Sequence, residues 1–129
     1  MATQAQYVST PQVWAVSLST ANTGKDGTGA APTLVTGAAT PGTRIDRIRF
    51  IAVGTTTAGM VRVFLNDGTT KRMIRELTVD AITPSGTVPG WEKEWTFGDG
   101  LVLPSASWSI LVSTHNAEAF NVFAFGGNL

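Results

Sequence analysis

The sequence predicts an all-β protein, a β-sandwich of about eight antiparallel strands wound like a jelly roll, and three observations predict it. Apolar and polar residues alternate in run after run, and no stretch keeps a 3.6-residue apolar spacing for three turns. Thr occurs 19 times and Ser 8 times among 129 residues, so hydroxyls replace the Lys and Glu that cover helical surfaces. Turn residues separate the runs at roughly the spacing of sandwich strands. A chain of this length buries one core, not two.

Met1 to Pro11 is polar apart from Tyr7 and Val8 and closes on proline. Residues 1–11 are therefore expected to form a flexible N-terminal arm before a single sandwich domain over 12–129. Val13 to Ser19 sets Trp14, Val16 and Leu18 against Ala15, Ser17 and Ser19, a strand with one face of large residues. Asn22 to Gly42, rich in Gly, Ala, Thr and Pro, reads as a long mobile excursion holding one strand, Thr33 to Thr36. Arg44 to Val53 places Ile48, Phe50 and Ala52 opposite Arg47 and Arg49. Met60 to Asn66 places Val61, Val63 and Leu65 opposite Met60, Arg62 and Phe64. Asp67-Gly68 then signals a tight hairpin turn needing positive φ, with Lys71 to Val79 returning. Pro84, Gly86, Pro89 and Gly90 make Asp80 to Gly90 a loop. Trp91, Lys93, Trp95 and Phe97 share one face of the next strand, and Gly98-Asp99-Gly100 predicts a turn before Leu101 to Leu103. Ser107 to Thr114 points Trp108, Ile110 and Val112 inward and Ser107, Ser109 and Ser113 outward, and Ala119 to Phe125 is the final strand.

Nine basic and nine acidic residues give no net charge, so no global field draws the chain to nucleic acid or an anionic membrane. Direct nucleic-acid binding is not expected. The absence of Cys excludes a disulfide framework and thiolate chemistry and fits assembly in a reducing cytoplasm. The N-terminus lacks the basic end and apolar run of a signal peptide, and no segment has the apolar length of a spanning helix, so a soluble protein without membrane association is expected. The charge is nevertheless split. Seven basic and two acidic residues lie between Arg44 and Arg75, and the acidic excess lies elsewhere. Opposite patches on identical subunits favour head-to-tail rings, an arginine-rich hairpin could instead meet an acidic partner or nucleic acid, and ordinary solvated strand faces are the plainest reading.

No catalytic constellation stands out. The lone histidine, His115, has Ser113 and Glu118 near it in sequence, but nothing fixes their geometry, and a turn residue bonded to its own loop is the plainer reading. One His, no Cys and scattered carboxylates offer no metal spacing. Gly24-Lys25-Asp26-Gly27 lacks the Ser or Thr and the following helix of a phosphate loop. Glu92 and Glu94 lie on one strand, whereas glycosidase carboxylates flank a cleft. No cofactor is expected. Trp14 and Trp108, beside aliphatic residues, read as core, while Trp91 and Trp95, with Lys93 between them, are the candidates for an exposed partner or sugar surface.

The phrases from Arg44-Ile-Asp-Arg-Ile-Arg-Phe50 to Phe64-Leu-Asn-Asp-Gly68, with Ser113-Thr-His-Asn through Phe125-Gly-Gly127, resemble small virion-associated proteins of tailed bacteriophages, in particular head decoration (cement) proteins. The resemblance covers roughly Val13 to Leu129. It implies a compact β fold, often trimeric, that docks on the outside of the capsid after cytoplasmic assembly and resists expansion by packaged DNA. The expected partners are the major capsid protein and further copies of the chain. The candidate contact residues are Tyr7, Val8, Arg47, Arg49, Arg62, Arg72, Arg75, Trp91 and Trp95, with the arm adding a strand to the sheet edge of a capsid protein. The alternative is a carbohydrate- or receptor-binding module of a tail fibre.

Overall fold

The structure is a computed structural model that describes residues 8–129. Eight strands form it: β1 (Thr10–Leu18), β2 (Thr33–Thr36), β3 (Thr43–Ala52), β4 (Gly59–Asn66), β5 (Lys71–Val79), β6 (Glu92–Leu103), β7 (Ser109–Thr114) and β8 (Phe120–Asn128). They make two four-stranded antiparallel sheets, ordered β1-β8-β3-β6 and β2-β7-β4-β5. The pairing has a simple rule. β4 pairs with β5, β3 with β6, β2 with β7 and β1 with β8, so the chain is one long hairpin wound into two layers.

The bend of that hairpin is where Asp-Gly put it, but the turn differs in kind. Asn66 pairs with Lys71, leaving a four-residue loop in which Gly68 alone has positive φ, 98°. Asp67 Oδ1 accepts the N–H groups of Thr69 and Thr70 at 2.9 and 2.7 Å, and Asn66 Oδ1 accepts that of Gly68. A carboxylate thus does what a second left-handed residue does in a tight primed turn.

Between the layers Ile45, Ile48, Phe50, Val61, Val63, Leu77, Ile110, Val112, Phe120 and Val122 form one buried cluster. The alternation predicted for β3 holds, and β8 alternates likewise, because among the described residues their outer face stays open. In β4 and β7 it does not. Arg62, Phe64, Leu111 and Ser113 point away from that cluster and are still buried. The expected mobile excursion explains this, since its first half lies across the outer face of the β2-β7-β4-β5 sheet. Ala21 bridges to Thr114, the Asn22 N–H donates to Thr114 O at 2.8 Å, and Val112 N–H donates to Pro32 O at 3.1 Å. Gly27, at φ 84°, lies so close to Lys71 Cβ that a methyl group there would collide with it.

Two further expectations are corrected. Thr10 and Pro11 belong to β1, and Ser9 N–H donates to Asn128 O at 2.9 Å, so the arm does not extend to residue 11; residues 1–7, Tyr7 among them, lie outside the described residues. Gly98-Asp99-Gly100 does not end a strand. β6 runs through it, and the register against β3 jumps from Ile45↔Leu101 to Arg47↔Thr96, a bulge that takes up the extra residues with Gly100 at φ 83°.

Candidate functional site

Two surfaces gather the chemistry-bearing side chains. The first is a shallow depression of about 470 Å³ on the loop-covered sheet, lined by Lys25, Ala58, Gly59, Met60, Arg62, Glu76, Thr78 and His115. β4 places Arg62 beside Ser113 of β7 and Glu76 of β5 in one cross-strand row. Arg62 is only 2% exposed. Its Nη1 donates to Asn22 O at 3.1 Å, and its Nη2 donates to His115 Nδ1 at 3.0 Å. Guanidinium has donors only, so this contact uses the Nδ1 lone pair and leaves the ring proton on Nε2. Glu76 Oε2 lies 3.9 Å from Arg62 Nε, which has no hydrogen-bond partner, and Glu76 Oε1 meets Lys25 Nζ at 3.2 Å. Ser113 Oγ is likewise buried without a partner. The arrangement ties the 20–32 segment and the β7–β8 turn to the sheet.

His115 therefore bonds across to β4 and not within its own turn. Glu118 is engaged elsewhere, accepting from Thr57 N–H and Oγ1 at 2.7 and 2.8 Å, so the His115–Glu118 pairing considered from sequence has no geometric support. Among the described residues no three His, Asp or Glu side chains gather as a metal site, and no helix is long and apolar enough to cross a membrane.

The second surface is the outer face of β1-β8-β3-β6. Register sets Val13, Phe125, Arg47 and Thr96 in one row, Ala15, Phe123, Arg49 and Glu94 in the next, and Ser17, Asn121, Ile51 and Glu92 in the third. Val13 is 63% exposed, and the Phe123 and Phe125 rings stack at 6.4 Å between centroids. The Arg47 guanidinium sits 4.6 Å over Phe125 and 3.8 Å from Glu94. Arg49 bonds Glu92 at 2.9 Å and Glu94 at 3.3 Å. An apolar stripe thus lies beside a neutral ladder of ion pairs.

The remaining candidate residues scatter. Val8 packs against Gly127 at the chain's start. Arg72 bonds Asp67 at 3.3 Å in the hairpin loop. Arg75 stands 5.3 Å over the Trp95 ring, a contact between the edge strands β5 and β6 of the two sheets. Arg62 is a correction, since a residue taken for a partner contact is buried under the 20–32 segment. Trp91 is another. At 4% exposure it is core, edge-on to Phe120 at 5.8 Å, and Trp95 packs on the core against Phe97. Their face points inward, and Lys93 reaches solvent because β6 is an edge strand. The split charge is also largely answered within the chain: Arg44, Arg47, Arg49, Arg62 and Arg72 each have a carboxylate within 4.0 Å. Sequence reasoning missed Phe123 and Phe125 as surface residues; their spacing of two opposite Val122 and Ala124 was the available signal.

Two exposed carboxylates are held below the usual range. Asp67 owes this to the Thr70 and then the Thr69 N–H groups, and Asp26 to the Thr28 hydroxyl at 2.6 Å and then its N–H. Both stabilise loops. No protein-family model and no curated protein matches this sequence.

Proposed function

We propose that this chain is a non-enzymatic structural protein of a phage virion, built as a jelly roll, that binds the outside of a capsid and stabilises it as an oligomer. The observation that supports this reading best is the open outer face of β1-β8-β3-β6. Its apolar stripe and internally neutralised Arg–Glu ladder suit it to packing against protein, without a demand for charge on the other side. The long hairpin wound into β1-β8-β3-β6 and β2-β7-β4-β5 supports the jelly-roll part of this reading, an architecture shared by capsid and lectin domains. Its partners would be the major capsid protein and copies of itself, with no membrane and no direct nucleic-acid contact. A weak site repeated over a lattice is enough, because multivalent display raises effective concentration. The mechanism is mechanical bridging across capsid subunits. Co-sedimentation with expanded phage heads that lack the protein tests it: saturable pelleting is expected, and protein left in the supernatant at every salt concentration refutes the reading.

A second reading, a carbohydrate- or receptor-binding module, no longer draws on Trp91. It draws on the depression where Lys25, Glu76, Thr78 and His115 offer donors and acceptors to hydroxyl groups. Glycan-dependent NMR shifts at those residues would favour it over the capsid reading.

A further inference from the structure

The two sheets have four edges, and they differ in kind. β5 carries Lys71, Arg72, Arg75 and Glu76, β6 carries Glu92, Lys93, Glu94 and Asp99, and β2 is four residues long. Charge, brevity and proline are the usual ways of keeping an edge from pairing. β1 has neither charge nor brevity, and its one proline, Pro11, sits next to its first residue and leaves Gln12 to Leu18 able to pair. It runs nine residues, Thr-Pro-Gln-Val-Trp-Ala-Val-Ser-Leu, without a charge, and Val13, Ala15 and Ser17 on its outer side are exposed.

We infer that β1 is a pairing edge and that its occupant is β1 of a second copy, antiparallel about a two-fold axis through Trp14. Charge selects that occupant. Joining β1 to a β5 or β6 edge leaves several charged side chains opposite uncharged ones, and joining β5 to its own copy about its middle residue brings the like charges of two Arg75 side chains together. Two β1 strands bring none. Trp14 is the middle residue of the strand, so the axis sets Val13 opposite Ala15, Gln12 opposite Val16, Pro11 opposite Ser17 and Thr10 opposite Leu18, all uncharged, with Pro11 alone lacking an N–H to donate. Backbone groups on the side of β1 away from β8 gain partners. The rows Val13–Phe125 and Ala15–Phe123 then continue across the joint into one apolar stripe over an eight-stranded sheet. The joint itself is small, so the pair forms in proportion to concentration. This inference stands apart from the capsid reading and expects two copies where the family resemblance implies three.

Sedimentation equilibrium across a concentration series tests it. The expected result is a monomer–dimer equilibrium in which Val13→Lys with Ala15→Lys, setting lysine opposite lysine, raises the dissociation constant by roughly tenfold or more. Val53→Lys, at a position 62% exposed in the loop after β3, leaves it unchanged. In the unaltered protein, hydrogen exchange at alternate β1 amides slows as concentration rises, which decides the matter should the double variant fail to fold. A protein that stays single, a three-chain mass, a double variant that pairs normally, or protection rising at β5 or β6 instead would each overturn the assignment.

Discussion

Arg62 shows how one side chain decides whether a loop belongs to the fold. Its guanidinium contacts Asn22 O, His115 Nδ1 and Glu76 while buried under the segment they hold. Removing one member of a buried charged set leaves the others unpartnered, so Arg62→Ala should cost about 3 kcal/mol in denaturant unfolding. The same change should abolish exchange protection at Asn22, and an unaltered unfolding midpoint would contradict the role. Asp67 and Asp26 act through solvent-exposed loops. Both carboxyls titrate lower when folded than when unfolded, so their stabilisation is complete above the unfolded carboxylate range and is lost as pH falls through the folded values. Asp67→Asn should therefore be less stable than the parent at neutral pH and show a flatter acid limb in a pH series of thermal melts. Residue types announced some of this. Asp before Gly marked the hairpin, but a lone Arg in an alternating strand reads as solvent-facing, because burial depends on a segment forty residues away in sequence. Trp91 misled for the related reason that Lys93 shares its face, and a lysine on an edge strand extends past the sheet to reach water.

At the scale of elements, what alternation can see is a strand with one wet face. β3 is legible as such, down to Ile48, Phe50 and Arg47, because none of the described residues covers its outer side, and β8 is legible as a strand but not in its faces. β4 and β7, central in a sheet covered on both faces, lose that contrast, and Ser113 is buried where the pattern placed it outside. The β6 bulge was read as a turn, since Gly-Asp-Gly serves both and only the partner strand decides. Close approach between β3 and β8 depends on Gly126, where an added Cβ would run into the Arg44 carbonyl. Gly126→Ala should thus force the strands apart at a cost of about 3 kcal/mol, measurable as a lowered melting temperature. Tolerance of the methyl group would show that the β3–β8 ladder has slack there.

For the whole molecule, periodicity gave the number and kind of strands but not their order, which depends on pairings between residues up to 119 positions apart, as at Ser9 and Asn128. Among the described residues only the β4–β5 hairpin is local, and every other ladder closes a long loop before it gains a bond. Refolding in stopped-flow should accordingly take milliseconds to seconds, as for other sandwiches of non-local pairing, and a microsecond phase that recovers all native signal would be inconsistent with that topology. The mirrored pairing also has a practical outcome. Because β1 and β8 lie side by side with Ser9 bonded to Asn128, a short linker could run from Leu129 directly to Ser9 while the backbone is cut open at Gly68. Such a circular permutant would keep every ladder and exchange the one local turn for a distant one, making the tip of the β4–β5 hairpin an attachment point for a peptide cargo.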